Sequence, residues 1–143
     1  MSFYTTPYGV GLQNVGSYQV SGVPYARGKV AAPANSGTPT QITFPEVTQR
    51  IVVSNINTAS PLRIGFSSNG VKTGGNFFLL PAATANAYPT AEFKVKVSEI
   101  YLLSDTGAPT SGSIFAELTN ISTTLLVQSG PSGSSWSGSS GVG

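Results

Sequence analysis

Ala91-Glu-Phe-Lys-Val-Lys-Val97 is the clearest signal in the chain. Phe93, Val95 and Val97 alternate with Glu92, Lys94 and Lys96. A period of two puts the apolar side chains on one face of an extended chain and the charged ones on the other. This is the pattern of a strand with one face on a core and one in water. The same rule reads outward in both directions. Downstream, Glu99–Leu103 is a strand closed by a turn at Ser104-Asp105-Thr106-Gly107. Ser113–Thr119 puts Ile114, Ala116 and Leu118 on one face and Glu117 outside, and Ile121–Val127 reads as a last strand. Upstream, Leu62, Ile64 and Phe66 share a face opposite Arg63 and Gly65. Ser67-Ser68-Asn69-Gly70 then reads as a turn, since Asn-Gly accepts positive φ. Asn76–Leu80, Gln49–Asn55 and Gln41–Phe44 complete the set, the last stopped by Pro45. No window carries a helical stripe with start and stop signals.

Seven or eight short strands at roughly ten-residue spacing predict an all-β chain. The expected architecture is a single antiparallel β-sandwich, jelly-roll-like, since no Cys-Trp-Cys pattern points to an immunoglobulin domain. The expected core is Phe93, Val95, Val97, Ile100, Leu102, Ile114, Ala116 and Leu118. Around this body, residues 41–128, the composition changes. Residues 1–40 read as an extended N-terminal arm and linker, with Pro33, Gly37 and Pro39 as breakers. Val15–Val20 alternates enough for one short strand in the arm. Residues 129–143 are a Gly/Ser-rich tail with seven Ser and five Gly. A segment with so little apolar surface is ordered only where something holds it, which points to a neighbouring molecule.

Composition narrows the function. Charged residues make up 8% of the chain and the formal net charge is +2. That is too weak for a nucleic-acid or membrane footprint. A surface of Ser, Thr, Asn and Gly suits packing against other protein. The chain has no Cys and no His. It therefore lacks a disulfide framework, a thiolate site, the usual general base and the commonest transition-metal ligand. No basic start and apolar core mark a secretion signal in Met1–Val20, and no apolar run approaches a membrane span. Synthesis in a cytoplasm is the expectation.

The acids are Glu46, Glu92, Glu99, Asp105 and Glu117. Glu92 and Glu117 fall at outward strand positions, where a solvated face is the ordinary reading. Asp105 is explained by its turn, and one carboxylate with nearby carbonyls is too little for calcium. No His activates a serine, and no G-x-S-x-G elbow occurs. Gly9-Val10-Gly11 and Gly74-Gly75 do not complete a phosphate-binding fingerprint. Asn120-Ile121-Ser122 is a formal glycosylation sequon of no weight without a secretion signal. The expectation is a chain that is not an enzyme, with no catalytic residues, no cofactor and no metal.

The aromatic residues point elsewhere. Tyr4, Tyr8, Tyr18 and Tyr25 stud the arm, Arg27 follows them, and Trp136 stands alone in the tail. Aromatic side chains in polar segments are good interface anchors, because they bury much area for little entropy. These six are the candidate interface residues. Tyr18 and Tyr25 fit equally well folded back over the chain's own body.

The arm Gly11-Leu-Gln-Asn-Val-Gly-Ser-Tyr-Gln-Val-Ser-Gly22, with Pro24-Tyr25, precedes Ile51-Val-Val-Ser-Asn55, Leu62-Arg-Ile-Gly-Phe66, Glu99-Ile-Tyr-Leu-Leu-Ser104 and Phe115-Ala-Glu-Leu-Thr119. From Gly11 to Ile121 this resembles the small β-sandwich virion proteins of tailed bacteriophages and other large DNA viruses, which are capsid decoration, cement or vertex proteins. The resemblance implies a homo-oligomer, a trimer for preference. Its partners would be the major capsid protein or other virion proteins, and its place a virion assembled in the host cytoplasm. The Gly/Ser tail has no counterpart in the resemblance. The competing class is a carbohydrate-binding or receptor-binding adhesive module.

Overall fold

The computed structural model describes residues 22–123, 136 and 140–143. They form eight strands and one short helix: β1 (Val23–Ala32), β2 (Thr40–Thr43), β3 (Thr48–Asn55), β4 (Leu62–Gly65), α1 (Ser68–Lys72), β5 (Phe77–Leu80), β6 (Thr90–Phe93), β7 (Glu99–Ser104) and β8 (Thr110–Leu118). The all-β expectation holds. Two four-stranded antiparallel sheets have the orders β1-β8-β3-β6 and β2-β7-β4-β5. Strand pairs form between β1 and β8, β2 and β7, β3 and β6, and β4 and β5. The chain thus doubles back on itself as one long ribbon. The β3–β8 and β4–β7 pairs then close the folded ribbon into two sheets.

Both sheets turn apolar side chains toward one shared core. Val30, Ile51, Val53, Ile114, Ala116 and Leu118 come from the first sheet, and Ile42, Leu62, Ile64, Leu80, Ile100 and Leu102 from the second. In β8, burial alternates without a break from Thr110 to Leu118, as period two requires. Six of the eight expected core residues are fully buried, and Phe93 and Val95 pack half-buried against the same cluster. β7 is buried on both faces. Ile100 and Leu102 meet the core, while Tyr101 and Leu103 lie under Val71 of α1.

Three local expectations are corrected. The first is the linker expected over Ala26–Thr40. Val23–Ala32 is instead strand β1, paired along its length with β8. Only Val30 and Ala32 of this edge strand are buried, so it shows no alternation to read. A bulge between Arg27 and Val30 accommodates Gly28 and Lys29. The second is the turn expected at Ser67–Gly70. Ser67 caps α1, its hydroxyl accepting from the Gly70 N–H at 2.9 Å. Gly70 does not adopt positive φ; Gly75 does, at 70°. The third concerns the last expected strand, Ile121–Val127. Ile121–Thr123 is not in a strand, and the remainder lies outside the described residues. The strand expected at Val15–Val20 also lies outside them.

The alternating Ala91–Val97 stretch ends its pairing early. β6 stops at Phe93 because Lys94–Ser98 crosses from one sheet to the other. Thr48 guides that crossing. Its hydroxyl donates to the Val95 carbonyl at 2.8 Å and accepts from the Val97 N–H at 3.2 Å. Val95 and Val97 therefore keep their inward direction outside any strand, and the Val97 carbonyl accepts from the Thr48 N–H at 3.0 Å.

Candidate interaction surface

Arg50 organises the outer face of the first sheet. Register places it opposite Glu117 on β8, with β6 on its other side. Its guanidinium donates to Glu117 through Nε and to Glu92 through Nη1, and lies over the Phe115 ring at 5.8 Å. Gln49 Nε2 adds a bond to Glu117 Oε1 at 2.8 Å. The bonds from Gln49 and then Arg50 hold the Glu117 carboxyl below the usual carboxylate range. Both outward acids are therefore engaged in joining strands. Beside them lies an open groove of about 570 Å³ lined by Gln49, Arg50, Lys94, Val95, Lys96 and Glu117.

On the other side of Lys94–Lys96 lies a more apolar groove of about 410 Å³. Phe66, Val95, Val97, Trp136 and Val142 contribute to it. Trp136 does not stand free. It is half-buried against the core and against Val47 and Ile121, and its Nε1 donates to the Lys96 carbonyl at 2.6 Å. The last residues dock nearby. Ser67 Oγ donates to the Val142 carbonyl at 2.9 Å, and Gly141 and Gly143 take φ of 85° and 91°.

Arg63 performs a similar service on the second sheet. Its Nε donates to Asp105 Oδ1 at 2.7 Å, its Nη1 donates to the Val71 and Lys72 carbonyls at 3.2 Å, and its Cζ lies over the Phe77 ring, 4.4 Å from the centroid. It thus satisfies the end of α1 and fixes the turn after β7 together. Glu99 is buried and accepts from the Tyr101 hydroxyl. Sequence reading missed both cations as organisers. The signal available was a lone Arg at an outward position between strands bearing acids. Among the described residues no three of His, Cys, Asp and Glu gather where a metal ion could be held.

The six candidate interface residues fall into three groups. Tyr25 is half-buried and meets Phe44 edge-on, with ring centroids 5.2 Å apart, so it covers its own core. Arg27 is exposed on β1, and Trp136 is docked as described. Tyr4, Tyr8 and Tyr18 lie outside the described residues.

Of the large exposed apolar side chains among the described residues, Val23 stands alone on β1 and the other three gather at the side where β5 and β6 end the two sheets. Phe78 and Leu79 on β5 are 50% and 44% exposed, and Tyr88 in the following loop is 60% exposed. Phe78 meets Phe93 edge-on at 5.4 Å, and Phe93 meets Phe66 at 6.1 Å. This aromatic row closes the open side of the core and leaves half of Phe78 in water. No helix among the described residues is long and apolar enough to cross a membrane. No protein-family model, curated protein or solved structure matches the chain.

Proposed function

We propose that this chain is a non-enzymatic virion structural protein, a capsid decoration or cement subunit. It stabilises a shell by bridging neighbouring subunits, and its body is a jelly-roll sandwich. The strand order carries the reading. A ribbon pairing β1 with β8, β2 with β7, β3 with β6 and β4 with β5, wrapped into two facing sheets, is how a jelly roll is built. Viral capsid domains are a major home of that architecture. The acids support it further. Glu92, Glu117, Asp105 and Glu99 are each engaged by a neighbouring side chain that holds the fold together. The apolar row at β5 supplies surface for protein contact. Fold alone does not dictate function, so the test must be direct. Particles from an infection or a reconstitution are purified by density gradient and the chain is quantified. A fixed copy number per shell, and shells that resist heat better with it than without it, are expected. Particles lacking the chain would overturn the proposal.

One observation favours the adhesive alternative. The groove beside Gln49, Arg50 and Glu117 offers several hydrogen-bonding groups on a fold that lectins also use. Specific retention on a glycan array, abolished by Arg50→Ala, would replace the first reading with this one.

A further inference from the structure

The two sheets have four edges, and three of them are protected. β1 carries Pro24, Arg27, Lys29 and a bulge. β2 is four residues long, polar where it is exposed, and flanked by Pro39 and Pro45. β6 carries Glu92 and lies between Pro89 and Lys94. Charge, proline, bulges and shortness are the devices that stop an edge from pairing with another chain. β5 differs. It reads Phe77-Phe78-Leu79-Leu80, and its exposed side chains are apolar on both faces. No charged residue occurs from Thr73 to Ala91. An open backbone row flanked by exposed Phe and Leu is a place for a further strand.

The exposed parts of Phe78, Leu79 and Tyr88 amount to about 300 Å² of side chain, against roughly 800 Å² per partner in a stable rigid interface. The patch is too small to hold two folded bodies together alone. It suits an extended, uncharged segment that brings backbone hydrogen bonds with it. The chain contains one. Residues 1–26 carry no charged side chain, and Val15–Val20 has the alternation of a strand.

Chain reach decides whose segment it is. Val20 precedes the first residue of β1 by three positions, so it lies within about 11 Å of Val23. β1 and β6 are the opposite edges of one sheet, three strand spacings or about 14 Å apart. β5 stands beside β6, through the Phe78–Phe93 contact. A strand that runs to Val20 therefore cannot lie along β5 of its own chain. We propose that residues 15–20 of one copy add as a strand to the β5 edge of a second copy. This rests on the reading of the chain as an assembly subunit. The donor and acceptor are different surfaces, so the contact either runs head-to-tail into a ring or filament or is exchanged reciprocally between two copies about a two-fold axis.

The absence of cysteine makes the test clean. Leu79→Cys is combined in the full-length chain with Ser17→Cys or Gln19→Cys, the protein is oxidised mildly, and products are separated without reductant. One double variant is expected to give covalent oligomers at least tenfold more abundant than either single variant gives. Phe78→Lys in the same background should remove at least nine tenths of them. Dimers from Leu79→Cys alone would mean that two β5 edges pair, and a fast-migrating cross-linked monomer would mean pairing within one chain. Either result, or no cross-linking in any double variant, overturns the proposal. Particle occupancy is measured separately: oligomers formed by a chain that never joins particles would end the virion reading and leave this one intact.

Discussion

Gly70 and Val142 approach so closely that a Cβ on Gly70 would lie 2.0 Å from the Val142 carbonyl oxygen. The glycine is required by this contact and not by its own backbone angles. Gly70→Ala should therefore release residues 140–143 from α1 while the two sheets persist. Limited proteolysis with mass spectrometry would show faster cleavage near the C-terminus, with an intact fragment spanning 23–118. Ser67→Ala removes the helix cap and the same contact together, and should cost about 1 kcal/mol. Unchanged cleavage in the Gly70→Ala variant would contradict this account.

Asn55 is buried and ties two loops together. Its Nδ2 donates to the Ser60 and Pro81 carbonyls at 2.9 Å, and its Oδ1 accepts from the Asn57 N–H at 3.0 Å. Asn55→Leu would take this donor from the Pro81 carbonyl and this acceptor from the Asn57 N–H, while Thr110 Oγ1 still donates to the Ser60 carbonyl at 3.1 Å. A loss of about 2–4 kcal/mol is expected in urea unfolding, with the slope unchanged.

Glu117 confers an acid limit. Its carboxyl titrates lower when folded than the unfolded value of about 4.3, so the folded state binds fewer protons there. Its contribution is complete above the unfolded value and fades as pH falls through the lowered folded one. Thermal midpoints from pH 7 to pH 2.5 should show wild type losing more stability on acidification than Glu117→Gln. Parallel curves would disprove this role.

Arg63→Lys should not substitute for Arg63. A lysine cannot meet Asp105, two carbonyls and the Phe77 face at once. A loss of about 1–2 kcal/mol is expected for Lys, and somewhat more for Ala, by chemical denaturation.

Truncation tests where the body begins. Removing residues 1–21 should leave the thermal midpoint nearly unchanged, because β1 starts at Val23. Removing residues 1–32 strips β8 of one of its two partner strands and the core of Val30 and Ala32, and should give insoluble or unfolded chain. Association of the full-length chain should change little from 50 to 500 mM salt, since few charges are available to screen.

Inward and outward faces of most strands were legible residue by residue. Alternation at Phe93, Val95 and Val97, and at Ile114, Ala116 and Leu118, is a local property of an extended chain, and burial follows it. The all-β class was legible on the same grounds. The strand at Val23–Ala32 was not, because eight of its ten residues escape full burial and its Pro and Gly imitate a linker. Folding in three dimensions brought Arg50 to Glu92 and Glu117, which are 42 and 67 positions away, and Gly70 to Val142. It also left β5, among the described strands, as an edge whose exposed side chains are all apolar. Pairing between distant segments is set by the closing of the whole ribbon, and no local pattern records which strand will end outermost.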